Sequence, residues 1–291
     1  MQRQVRVLLG WLEQAEAIPI LLGHAPSPND HVRTQVAAWQ AARKAMLARE
    51  TYRLPTPSLE SLPAEISGRA HTFQQRADVL SIFQNLDWMI GMVDLRNVLS
   101  FQKLVVEEQA VERVSHVTPD DLAALFSLCL PEPSGNVALA AIIDHDQKGF
   151  TSSSLNPNLR VVGPLIQEME VSPAPNQPGQ TLQFMGFAIN FGARFVQVAE
   201  YKGRWFIRDG YHRCYGFLRR GIHRIPCVFI RAQNFQQLGA QAPGFLSYEL
   251  LFGERPPFLA DFLDDTVSIL GQQQATRKVI RVTAEEFVVE V

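Results

Sequence analysis

The chain has 291 residues, 46% hydrophobic and 19% charged, with a formal net charge of −2. That is the make-up of a packed globular protein of one large or two ordinary domains, and it excludes intrinsic disorder and broad coating of nucleic acid by charge. The longest uninterrupted apolar run, Val137 to Ile143, is far short of the roughly 20 residues a membrane helix needs, so a cytoplasmic protein without a membrane partner is expected.

Residues 1–52 read as mostly helical, with an apolar-periodic segment near 3–16 and a second helix capped by Asn29-Asp30 and running to about Arg49. A loop, Gly23 to Pro28, separates them. Thr51 to Gly68 carries Pro55, Pro57 and Pro63 and reads as an extended linker. The chain therefore divides into a helical N-terminal region with linker, 1–68, and an α/β domain, 69–291. Asp78–Phe83 and Trp88–Val93 are apolar segments of either type. Phe101–Arg113 reads as a helix, and Thr118-Pro119-Asp120-Asp121 opens another, with threonine as cap and proline at the first position.

Asn136–Ile143 and Arg160–Val162 are strand-like. Between them, Asp144-His145-Asp146 has metal-ligand residue types, but alternate residues of a strand point to opposite faces and Lys148-Gly149 favours a plain turn, so no metal site is assigned. Pro173–Gly179 is a surface loop, a boundary or a lid. Phe195–Tyr201 alternates as a half-buried strand, Lys202-Gly203 makes a hairpin turn, and Trp205–Arg208 returns. Asp209 is expected to cap a helix in which Gly210 turns the backbone and Gly221 ends the last turn. Tyr211, Cys214, Tyr215 and Leu218 share one face of that helix, leaving Arg213 and Arg220 on another. Ile225-Pro226 begins a further strand, its proline marking a start or an edge.

Residues 194–231 hold nine Lys or Arg against two acids, a net of +7, which leaves −9 for the remainder. A local excess of this size favours phosphate-bearing partners. Cys129, Cys214 and Cys227 are odd in number and widely spaced, as reduced thiols are. Asp261, Asp264 and Asp265 form an acidic cluster with two readings: a solvated helix face, or a fold-back partner for arginine or Mg²⁺. P-loop, nucleophile-elbow and zincin motifs are absent from the sequence.

The run from Trp205 to Ile230 resembles the core of the ParB/sulfiredoxin-like superfamily. Ile207, Gly210, His212, Arg213, Gly221, Ile225, Pro226 and Val228 fall in register on its strand, Gly-x-His/Arg-Arg elbow, helix, glycine and Ile-Pro strand. The likeness covers about 194–231. It implies an α/β (α+β) protein with a ParB-like core and a mainly helical N-terminal region. Tyr211 stands where sulfiredoxins carry the catalytic cysteine, so sulfinic-acid reduction is not expected. ParB proteins of chromosome partitioning have Gly-Glu-Arg-Arg and a later Arg-Ala, which Tyr211, His212, Tyr215 and Gly216 replace.

From the elbow, a nucleotide- or phosphate-binding protein is expected, either a nucleotide hydrolase or a phosphotransferase, with Mg²⁺ arriving with the nucleotide. Gly210 would allow close approach, and the backbone amides of Tyr211, His212 and Arg213 would cradle the anion. Arg213 would neutralise it and His212 would donate to it. Asp209 would orient Arg213, hold Mg²⁺ or act as base, so Asp209 and His212 are the candidate catalytic pair. The rival expectation is a non-catalytic DNA-associated or protein-interaction module. In a purely structural reading, Asp209 caps, His212 bonds a carbonyl and Arg213 holds the turn.

Overall fold

The computed structural model describes residues 2–23, 28–53, 58–132, 141–143, 149–154, 159–171, 180–191, 195–240, 245–274 and 278–289. In chain order its elements begin β1 (Gln2–Val7), α1 (Gln14–Leu21), α2 (Asn29–Leu47), α3 (Ala64–Gln74), α4 (Ala77–Phe83), β2 (Asp87–Asp94) and β3 (Leu104–Val106). There follow α5 (Glu107–Val114), α6 (Leu122–Cys129), β4 (Ala141–Ile143), β5 (Gly149–Ser154), β6 (Leu159–Val171) and β7 (Gln180–Phe191). The chain continues with β8 (Gln197–Tyr201), β9 (Arg204–Asp209), α7 (Tyr211–Arg219), β10 (Arg224–Arg231), α8 (Phe235–Leu238), α9 (Tyr248–Phe252), β11 (Ile269–Gln274) and β12 (Lys278–Thr283). Helices and mixed sheets together make this an α/β protein. None of the helices among the described residues is long and apolar enough to cross a membrane.

Two compact units emerge, Met1–Glu132 with Arg194–Ala275, and Pro133–Ala193 with Thr276–Val291. Residues 1–68 thus share one unit with the 195–231 segment. That unit holds an antiparallel sheet, β11-β1-β3, and a mixed sheet, β2-β10-β8-β9, in which β10 runs parallel to β8 and antiparallel to β2. The other unit holds β12-β5-β4 and the long β6-β7 hairpin.

Several sequence expectations change for identifiable reasons. Residues 2–7 form a strand rather than the start of a helix. Val5 and Val7 are fully buried and alternate with Arg6, a period of two that satisfies pairing with β3 and β11 on either side. The segment 101–113 also splits. Leu104–Val106 pairs with β1, and the helix starts only at Glu107, where two glutamates sit favourably in its first turn. At 118–121 the cap is Asp121, whose carboxylate accepts the Ala124 N–H at 2.8 Å, while Thr118 closes a preceding turn. The helix expected from Asn29 to about Arg49 is α2, with Pro28 at its N-cap. Asp144–Asp146 and the 173–179 loop lie outside the described residues.

The β8–β9 hairpin turns at Lys202 and Gly203, both at positive φ (+52° and +72°), as a type I′ connection requires. Its return strand leads through Gly210 into α7, which crosses back to β10. At the far end Gly221, φ +73°, donates to Leu218 O, and Ile222 donates to Phe217 O, closing α7 with a Schellman motif. Pro226 sits early in β10 but not on an edge strand. The Val228 N–H points to Val196 O, so the absent proline N–H points the same way, ahead of the β8 pairing that begins at Val228.

One close approach fixes α7 in place. A Cβ on Gly216 would stand 2.3 Å from Ala110 O of α5 and 2.9 Å from Val114 Cγ2. The first neighbour is backbone and cannot swing away. Gly216→Ala is therefore expected to lower unfolding free energy by about 1–3 kcal/mol through overpacking, measured by denaturant unfolding. A variant as stable as the parent would mean that the two helices are not held at this distance.

Candidate functional site

The elbow is built from the end of β9, one left-handed glycine and the first turn of α7. Gly210 occupies the N-cap position with φ +95°, where a Cβ would lie 2.9 Å from Val196 Cγ2 and 3.4 Å from Arg213 Nη2. Both the backbone angle and the crowding select glycine. Asp209 does not cap the helix as expected. It is the last residue of β9, one position ahead of the N-cap Gly210, whose N–H its Oδ1 accepts at 2.7 Å.

Tyr211 points inward. Its hydroxyl donates to Ile207 O and accepts from Phe101 N at 3.3 Å, and burial pushes its pKa well above the ordinary value. The side chain is thus a strut between β9 and the 99–102 segment, and only its backbone amide is left for a ligand. His212 is half-buried beside it. Arg213 is not on an open face with Arg220. It is 8% exposed, and its Nη1 donates to Leu128 O at 2.6 Å, while Arg220 is exposed. The shared core face of Tyr211, Cys214, Tyr215 and Leu218 is present, each of the four being buried.

A residue not singled out from sequence joins this turn. Arg113, in the last turn of α5, has its pKa lowered by partial desolvation and next by the positive charge of Arg213. Antiparallel packing explains the meeting: Glu107 at the start of α5 reaches Tyr215 and Arg219, so the end of α5 comes to the start of α7. A basic residue five positions before the conspicuous Thr118 turn has no local signature of a binding role. It reads as a solvated helix end until α7 is placed.

The basic excess of 194–231 does not form one patch. Arg204 and Arg208 donate to the carbonyls of Leu251, Gly253 and Gln237, and Lys202 donates to the Tyr248 hydroxyl. Arg219, Arg224 and Arg231 pair with Glu107, Glu60 and Asp87. The acidic cluster takes the arginine option: Arg49 bridges Asp261 and Asp264 at 2.5 Å each, and Arg6 pairs with Asp265. Among the described residues no group of three or more His, Cys, Asp and Glu side chains could hold a metal ion.

The three cysteines, far apart in sequence, converge in the core behind the elbow. All are buried and reduced. Burial pushes Cys129 up to about 12, and it raises Cys214 and Cys227 well above the ordinary thiol value, with the neighbouring thiols adding to both. Redox chemistry through a thiolate is therefore disfavoured at neutral pH. Neither a protein-family model, nor a curated protein, nor a solved structure matches the chain.

A folded-state thiol pKa above the unfolded value of ~8.5 stabilises the fold fully below that pH, and the contribution is lost as pH rises toward 12. Cys129→Ala should remove about 1.4 kcal/mol per pH unit from the fall in stability between pH 9 and 10.5. Denaturant unfolding at several pH values measures it, and an unchanged slope would place Cys129 outside the desolvated core.

Proposed function

We propose that the chain binds a phosphate-bearing small molecule of the nucleotide class at the start of α7. The observation that carries this reading is the antiparallel packing of α5 against α7, which brings the last turn of α5, with Arg113, to the helix start that bears Arg213, near enough for the charge of Arg213 to lower the Arg113 pKa. A phosphate taken up at this turn would add charge-assisted hydrogen bonds to guanidinium groups whose like charges oppose each other. The first-turn amides of α7 and its dipole add to the same field.

The resemblance to the ParB/sulfiredoxin-like superfamily supports the same location, since its elbow is the Gly210–Arg213 turn. Within this reading Arg213 is fixed by Leu128 O as a rigid wall, and Arg113, which is exposed, supplies the adaptable contact. Asp209 and His212 border the turn and are the groups assigned to a hydrolase or phosphotransferase reaction, as base or Mg²⁺ holder and as hydrogen-bond donor. Tyr211 takes part through its backbone amide. The DNA-associated alternative draws less support, because the cations of 195–231 are committed to carbonyls and carboxylates spread over the unit.

Arg113→Gln is the discriminating variant, since an exposed residue can be changed without unfolding the turn. Calorimetric titration with inorganic pyrophosphate, ATP, GTP and CTP should show binding by the parent, weakened in the variant by about 1.5–3 kcal/mol, the range for hydrogen bonds to charged groups. Equal affinity in parent and variant would remove Arg113 from the site. Absence of any binding by the parent, with salt-dependent affinity for duplex DNA instead, would favour the alternative.

A further inference from the structure

A second site stands on α3 and α6, independent of the elbow. The two helices enclose a cleft of about 330 Å³, within the size range of small-molecule sites. Its floor is aromatic: Phe73 and Phe126 are 2% and 5% exposed and meet edge to face with centroids 6.4 Å apart. Leu130 extends the apolar surface, and the hydroxyls of Thr72 and Ser127 also line the cleft.

Two charges at this cleft, those of Arg69 and Glu132, form no ion pair among the described residues. Arg69 is exposed, and its single hydrogen bond among the described residues is from Nη1 to Ser127 Oγ at 3.2 Å. Glu132 is exposed and has no cationic partner among the described residues. Arg69 and Glu132 do not pair with each other. Arg76, by contrast, is spent: it bonds Asp78 and Pro131 O and lies over the Phe73 ring at 5.0 Å, forming wall rather than free charge.

One cation and one anion, neither in an ion pair among the described residues, over an aromatic floor select against a simple anion, which Glu132 repels, and against a simple cation, which Arg69 repels. A ligand carrying both charges a short distance apart satisfies both. We propose that this cleft binds a small zwitterion of the α-amino acid class with an apolar side chain. The carboxylate would sit on the Arg69 guanidinium, the ammonium on Glu132 and the side chain against Phe73 and Phe126.

The test uses the full chain and titrates L-phenylalanine and L-leucine beside two analogues that each lack one charge, N-acetyl-L-phenylalanine and L-phenylalaninamide. Saturable one-to-one binding of the free amino acids is expected, with each analogue at least tenfold weaker. Arg69→Gln should abolish the preference for the acid over the amide, and Glu132→Gln the preference for the free over the acetylated amine. Both residues are exposed, so circular dichroism should show folded variants, and the analogue series on the parent decides the case if either unfolds. No binding by the parent, equal binding of the acetylated analogue, or unchanged preferences in folded variants would each overturn the proposal. Pyrophosphate affinity should be the same in Arg69→Gln as in the parent, which keeps this outcome separate from that of Arg113→Gln.

Discussion

The close approach of Gly216 to the Ala110 carbonyl governs the geometry around the candidate site. Helices whose backbones come this close cannot slide or rotate relative to each other without a clash, so every side-chain pairing along α5 and α7 is set by that one crossing. At one end it puts Glu107 against Tyr215 and Arg219, an acid of one helix start beside a base of the other helix end, which suits both dipoles. At the other end it puts Arg113 beside Arg213. The same packing therefore pairs an acid with a base at one end of the helix pair and brings two guanidinium groups near each other at the other, the end to which the proposed ligand is assigned.

Anchoring on the remaining sides comes from polar contacts that draw distant chain segments together. Tyr211 ties α7 to Ile207 and Phe101, and Arg213 ties it to Leu128. Arg49 at the end of α2 bridges Asp261 and Asp264 while lying over the Trp11 ring at 5.3 Å, and the Trp11 indole donates to Arg255 O at 2.7 Å. Asp261 is buried, and burial raises its pKa even with Arg49 bonded to it. A buried pair of this kind gives little net stability but strongly penalises loss of one partner, so it favours one arrangement of the chain ends over others. These contacts also explain why residues 1–68 are part of the same compact unit as the elbow.

How much of this was legible beforehand depends on the range of the interaction. The hairpin at Lys202-Gly203, the glycine joint at 210 and the glycine stop at 221 are local backbone matters, and residue type alone points to each. The inward face of α7 follows from its 3.6-residue spacing. By contrast, Val5 to Val7 and Leu104 to Val106 are strands because they pair with each other across about a hundred residues, and an apolar segment too short to show a clear period cannot announce its partner. Thr118 and Asp121 both qualify as caps on residue type; which one closes on an amide is decided by backbone geometry.

The α/β character, the strand–glycine–helix–strand order around Gly210 and the identity of the groups at that turn can all be read from residue type, because they rest on backbone conformation and side-chain periodicity within a few residues. Only the tertiary structure decided where the charges went. It buried Arg213, brought the helix end with Arg113 towards it, committed Asp261 and Asp264 to Arg49, gathered three cysteines into one core and set Arg69 and Glu132 on one cleft with no ion pair among the described residues. Charge pairing and desolvation depend on distances between residues far apart in the chain, and a linear composition count cannot carry distances.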